Sequence, residues 1–175
     1  RTSSQHAFLH DQVSVMVATV AFGMGVHKPD IRYIVHIDMP RTIEQYYQEI
    51  GRAGRDGLPA ECLMFYASQD WVVYKSFLED VTDPELRKTM TSKIDSMYRL
   101  CTSWKCRRKE LLRYFGESFL QTSCGTCDNC MEESELVEGT VTAQKILSCV
   151  WRLKQNVGLR MVIDVLRGSK GQHVI

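Results

Sequence analysis

IRYIVHI, residues 31–37, is a short apolar run rich in β-branched side chains that starts just after the turn Lys28-Pro29-Asp30. Runs of this length and composition read as buried strands of a parallel sheet. Working outward, VSVMVAT at 13–19 and ECLMFY at 61–66 have the same character, and the latter follows the turn Gly57-Leu58-Pro59. Thr42 to Ala53, between the second and third runs, is compatible with a helix. Strand, helix and strand in alternation predict an α/β unit. Ser3 to His10 has helical spacing before the first run, so the chain is expected to begin inside that unit and its sheet to be incomplete.

From Ser68 to Tyr114 the pattern changes. Trp71, Tyr74, Phe77 and Leu78, then Met90, Ile94, Met97 and Leu100, recur every three to four residues, which predicts two amphipathic helices. Thr82-Asp83-Pro84 between them supplies a helix start with proline in the first turn, so an antiparallel pair is expected. MEESELVE, 131–138, is acidic and lacks a periodic face, and reads as a linker. Beyond it, Ala143 to Lys154 and Arg160 to Leu166 are again helical, joined by an Asn156-Val157-Gly158 turn of the helix-turn-helix kind. The expected divisions are 1–67, 68–135 and 136–175.

An apolar share of 44% and a charged share of 25% are those of a folded globular chain and exclude a disordered or fibrous one. No apolar run is long enough to span a membrane and no signal-peptide pattern opens the chain, so it is expected in the cytosol. A net charge of +1 leaves nucleic acid open, because the placement of Lys and Arg matters more than their sum. Lys105, Arg107, Arg108, Lys109 and Arg113 do gather near Trp104 and Tyr114, a composition suited to phosphate contact and base stacking. The competing reading is a solvated helix face.

Of seven cysteines, Cys106, Cys124, Cys127 and Cys130 form C-x17-C-x2-C-x2-C, with Gly125 and Asp128-Asn129 as turn residues between the last three. Four thiolates so spaced suit a closed tetrahedral zinc site that stabilises and does not react. An iron–sulfur cluster is the rival, although the run is followed by Met131-Glu132-Glu133 and not by the C-x3-C-P continuation of bacterial ferredoxins. The basic residues around Cys106 are expected to favour its thiolate. Cys62, Cys101 and Cys149 occupy apolar periodic positions and are expected in cores.

QEIGRAGRDG, 48–57, sets Arg52 and Arg55 three residues apart at a helix end among glycines. A guanidinium fork there can engage phosphate oxygens and stabilise charge developing in phosphoryl transfer. A glycine-rich helix terminus with solvated arginines is the plainer alternative.

VATVAFGMGVHKPDIRYIVHIDMP (17–40) followed by YYQEIGRAGRDGLPAE (46–61) resembles motifs V and VI of the RecQ helicases, with the wording of bacterial members, and the likeness continues through CRRKELLRYFGE and CGTCDNC. It implies the later part of a second RecA-like lobe, a helical zinc-binding module and the opening helices of a winged helix. The implied activity is ATP- and Mg²⁺-dependent unwinding of DNA, 3′ to 5′, in recombination and repair, on the nucleoid. Single strands and duplex junctions would be its substrates, with replication or repair proteins as partners. It implies Arg55 as the finger on the γ-phosphate, with Arg52, Gly51 and Gln48 beside it in the nucleotide cleft. Thr19, Gly23 and Gly25, with Arg107 and Arg108, would meet DNA. His27 stands where relatives often carry Asp or Asn; a neutral imidazole can still accept from a ribose hydroxyl, and a surface loop histidine is the other reading.

No G-x-x-x-x-G-K-[ST] loop occurs, and Gly168-Ser169-Lys170-Gly171 has the wrong order. The 175-residue chain is therefore expected not to hydrolyse ATP alone. A non-enzymatic, zinc-stabilised DNA-binding module is the alternative function; it explains the cysteines and leaves the arginine pair idle.

Overall fold

In the computed structural model, which describes residues 2–19, 27–132, 137–154 and 157–169, Tyr33–His36 (β1) and Glu61–Met64 (β2) pair in parallel, Tyr33 opposite Glu61 and His36 opposite Met64. The helix Ile43–Ile50 (α2) makes the crossover between them. Its start is set by Thr42, whose Oγ1 accepts the Gln45 N–H at 3.2 Å. Preceding β1 is the helix Thr2–Leu9 (α1).

The expected strand at 13–19 is not formed. Among the described residues nothing pairs with it, and Val15 and Val17 are 77% and 89% exposed. Without ladder partners an apolar run has no reason to adopt strand geometry. Cys62, expected in a core, is exposed on β2 between exposed Glu61 and Leu63, whereas Cys101 and Cys149 are buried as expected.

After β2 come Ser68–Ser76 (α3) and Pro84–Thr102 (α4), packed against each other. Asp83 caps α4, its Oδ1 accepting the N–H groups of Glu85 at 2.9 Å and Leu86 at 3.2 Å, with Pro84 in the first turn where its missing donor costs nothing. Arg107–Tyr114 (α5) and the single turn Asp128–Met131 (α6) follow. Met39 and Ile43 from the α/β part share one core with Met97, Leu100 and Cys101 of α4, and Tyr46, Trp71, Tyr74 and Tyr114 pack around it. Tyr74 seals the joint by donating its hydroxyl to the Met39 carbonyl at 2.7 Å. Burial pushes the Cys101 thiol up to about 11, which leaves it inert at neutral pH. Residues 1–132 thus form one compact unit.

An ion pair joins α4 to α2: Lys93 Nζ lies 2.7 Å from Glu44 Oε1. Partial burial opposes the charge on Glu44, but hydrogen bonds from the Lys93 ammonium, its own main chain, Thr42 and Tyr114 together outweigh it and lower the carboxyl to about 2 from 4.5. A depressed carboxylate stabilises the fold fully above pH 4.5, and that contribution disappears as the pH falls toward 2. Both side chains are about a third or more exposed, so solvent screening holds the effect to about 1 kcal/mol. Lys93→Met is expected to lower the midpoint of urea unfolding at pH 7 and to flatten its decline between pH 4.5 and pH 2. An unchanged acid profile would contradict this.

The second unit, from 133 onward, holds Thr140–Arg152 (α7) and Leu159–Leu166 (α8), packed on each other with Cys149 and Val162 buried. α7 begins one turn earlier than the sequence suggested, on Thr140, whose N–H donates to Glu138 Oε1 at 2.8 Å. Of the expected connecting turn, Asn156 lies outside the described residues. Among the described residues no helix is long and apolar enough to cross a membrane.

Candidate functional site

The arginine turn begins where α2 ends, at Gly51. Gly54 is at φ +60°, and a Cβ there would stand 2.8 Å from the Leu58 carbonyl oxygen, so only glycine fits. The turn is docked on the segment leading into β1: the Gly54 N–H donates to the Ile31 carbonyl at 2.9 Å and the Asp56 N–H to the Pro29 carbonyl at 3.2 Å. Arg55, between these two bonds, is exposed, and its Nε donates to the Gly51 carbonyl at 3.1 Å. Among the described residues its two terminal nitrogens have no partner. Arg52 is half-buried, and its Nε is buried without an acceptor.

In the same last turn of α2, Glu49 is fixed to β1, its Oε2 lying 2.7 Å from His36 Nε2, while its Oε1 accepts from Gln45 Nε2 at 3.2 Å. Gln48 is exposed on the last turn of α2. The structure therefore brings Gln48, Gly51, Arg52 and Arg55 onto one helix end and its turn. His27 and Thr19 are exposed, whereas Gly23 and Gly25 lie outside the described residues.

In the cysteine site, the ligand-capable atoms of Cys106, Cys124, Cys127 and Cys130 all lie within 4.8 Å of one another. Tetrahedral zinc with bonds of about 2.3 Å needs sulfurs about 3.8 Å apart, and the Cys124 and Cys130 sulfurs are 4.0 Å apart. Four converged thiols, with no fifth His, Cys, Asp or Glu joining the group among the described residues, fit zinc. Cys106 is buried at the start of α5, and Cys127 precedes α6. Burial opposes ionisation of Cys124, but hydrogen bonds from the Thr126 hydroxyl and N–H bring its thiol down to about 6. Burial pushes Cys127 up to about 11, whereas the Ser123 hydroxyl lowers Cys130. Zinc takes them as thiolates, with release of protons.

Arg107 corrects one expectation. Its guanidinium does not face DNA: Nε and Nη2 bind the Asp128 carboxylate at 3.0 and 2.9 Å, Nη2 also reaches Asn129 Oδ1 at 3.3 Å, and Nη1 donates to the carbonyls of Leu100 and Cys101. All five guanidinium donors are thereby used inside the fold. The Arg107 backbone N–H donates to Cys127 Sγ at 3.4 Å. Asn129 completes the clamp, its Nδ2 donating to the carbonyls of Ser103 and Lys105, each at 2.7 Å. Asp128 and Asn129, read in the sequence only as turn residues, thus tie the metal loop to the end of α4. By contrast Arg108, Lys105, Lys109, Arg113 and Trp104 are all exposed, and Trp104 is 77% so. Lys105 Nζ lies 5.9 Å from the Trp104 ring centre. Together these side chains form an exposed cationic and aromatic surface.

Three family models match successive stretches: helicase conserved C-terminal domain over residues 1–57, RecQ zinc-binding over 68–131, and RQC domain over 133–175. The chain is 44% identical to the ATP-dependent DNA helicase RecQ of Pasteurella multocida, taking in 99% of this chain and 27% of that protein. It is 43% identical to the protein of that name from Haemophilus influenzae, with 100% and 28% covered, and 41% identical to that from Bacillus subtilis, with 100% and 29%. The chain spans less than a third of the length of these curated relatives.

Proposed function

The chain belongs to the RecQ helicase family, and from that premise we propose that it supplies the arginine turn, the zinc module and part of the DNA-contacting surface of an ATP-dependent, 3′ to 5′ DNA helicase acting in recombination and repair. The observation that carries the reading is Arg55, held between two main-chain bonds in a turn only glycine permits, with the end of its guanidinium unengaged. Beyond its Nε bond to Gly51 the guanidinium makes no hydrogen bond among the described residues, and such a fork suits the three oxygens of a γ-phosphoryl group. Arg52, with a buried Nε lacking an acceptor, is its companion at the nucleotide. ATP is the substrate, and Mg²⁺ would neutralise its phosphates when bound. In this reading the arginine turn contributes positioning and positive charge to the chemistry.

Zinc has a structural role in this reading. It draws Cys106 at the head of α5 to the loop 124–130, and the Arg107 clamp passes that constraint to Leu100 and Cys101 in the core. DNA, single-stranded or at duplex junctions, is the proposed partner for Thr19 and for the surface of Lys105, Arg108, Lys109, Arg113 and Trp104. Hydrolysis of ATP by the intact protein, with and without single-stranded DNA, tests the proposal: marked stimulation by DNA is expected. DNA binding without any DNA-dependent turnover would favour the non-enzymatic binding module instead.

A further inference from the structure

We infer that Arg32 is a positioning residue for Arg55, clamping the arginine turn to the root of β1 so that the segment 27–32 and the finger move as one piece. The inference rests on the nucleotide reading of Arg55 and adds to it a residue outside the arginine motif.

Arg32 is anchored in the sheet by its own main chain, its carbonyl accepting the Glu61 N–H at 2.8 Å. From there its side chain reaches across the turn. Nη2 stands 2.6 Å from both carboxylate oxygens of Asp56, Nη1 donates to the Pro59 carbonyl at 2.9 Å, and Nε donates to the Asp30 carbonyl at 3.1 Å. Asp56 Oδ1 in turn accepts the Leu58 N–H at 3.1 Å. The guanidinium therefore closes the turn on the side beyond Arg55, while the bonds from Gly54 and Asp56 to Ile31 and Pro29 hold its near side. Arg55 has only the Nε bond to Gly51 with which to fix itself, so its aim depends on these neighbours.

The same clamp extends the other way. Lys28 Nζ, on the segment that Arg32 terminates, is 2.6 Å from Asp11 and 3.1 Å from Asp30. Residues 28–32 are thus tied to Asp11 through Lys28 and to the arginine turn through the Arg32 side chain and the Gly54 and Asp56 N–H bonds. Lysine at position 32 could not do this, because a single ammonium cannot reach Asp56, Pro59 and Asp30 together.

Magnitudes separate this role from a merely structural one. Arg32 and Asp56 are 33% and 24% exposed, and an ion pair at that exposure adds little to global stability. A misplacement of about 1 Å at a catalytic group, however, costs on the order of a hundredfold in rate.

The test uses the intact helicase carrying Arg32→Gln, Arg32→Lys, Asp56→Asn and the Arg32→Gln/Asp56→Asn pair. Expected is a fall in DNA-stimulated kcat of about ten- to a hundredfold for each single variant. KM for ATP and affinity for single-stranded DNA should stay within about twofold, melting temperature should move by no more than a few degrees, and the double variant should be no worse than the singles because both remove one clamp. Turnover within twofold of wild type would overturn the inference. So would a kcat loss that only follows a lost melting transition, or losses that multiply in the double variant. Arg55→Ala in the same assay separates the two claims: if it keeps full turnover the nucleotide reading itself fails, and if it loses turnover while the Arg32 variants keep theirs, only the clamp fails.

Discussion

Arg55→Ala in the intact helicase is expected to lower ATP turnover at saturating DNA by at least about a thousandfold, the lower bound for loss of an arginine that stabilises phosphoryl transfer. The size of the effect follows from what the side chain does not do. Arg55 is exposed and gives the fold only its Nε bond to Gly51, so truncation leaves no buried hole and no orphaned partner of consequence. Stability and DNA affinity should stay close to wild type, which distinguishes this variant from one that unfolds. Arg55→Lys should rescue little, because an ammonium is a point charge and cannot present two parallel donors to phosphate oxygens. The measurement is steady-state phosphate release against DNA concentration, with the melting temperature recorded beside it. A variant with undiminished kcat would remove Arg55 from the chemistry.

Cys124→Ser is expected to act in the opposite way, through the fold. Removing one of four thiolates opens the site, and metal affinity in such sites is folding free energy. Even a third of the ~10 kcal/mol that zinc contributes to small thiolate sites is about 3 kcal/mol, or about 10 °C of melting temperature at roughly 3 °C per kcal/mol. The damage should not stop at the loop. Cys127 accepts the Arg107 N–H, and Arg107 and Asn129 hold the carbonyls of Leu100, Cys101, Ser103 and Lys105, so a loosened 124–130 loop frees the end of α4. The basic surface around Trp104 is built on that end, and DNA affinity should fall with the zinc. Zinc content, thermal melting and binding of single-stranded DNA, measured on the same preparation, check this. Retention of stoichiometric zinc and full stability would contradict it.

How legible these features were depends on how local their causes are. The four cysteines and the arginine pair could be read directly, since ligand type, spacing and glycine content lie within short stretches of chain. So could the helix pair α3 and α4, whose periodicity and Asp83-Pro84 start are local. Arg107 could not. In the sequence it is one more cation beside Cys106, and what removes it from the surface is a carboxylate 21 residues away and two carbonyls that no composition reveals. The role of Arg32 is hidden in the sequence for the same reason: Asp56 is 24 residues distant and Pro59 offers only its main chain. Val13 to Thr19 carries a strand pattern, but a strand exists only where a ladder partner does, and among the described residues there is none. The core joining Met39 and Ile43 to Met97, Leu100 and Cys101 was likewise hidden, because periodicity shows which face of a helix is apolar and not which other face it meets.

Strand displacement by the intact protein, with ATP and Mg²⁺, on otherwise identical duplexes bearing a 3′ or a 5′ single-stranded tail, tests the helicase reading most directly. Opening of the 3′-tailed duplex, abolished by Arg55→Ala, is the expected result; displacement that needs no ATP, or that occurs only on the 5′-tailed duplex, would contradict it.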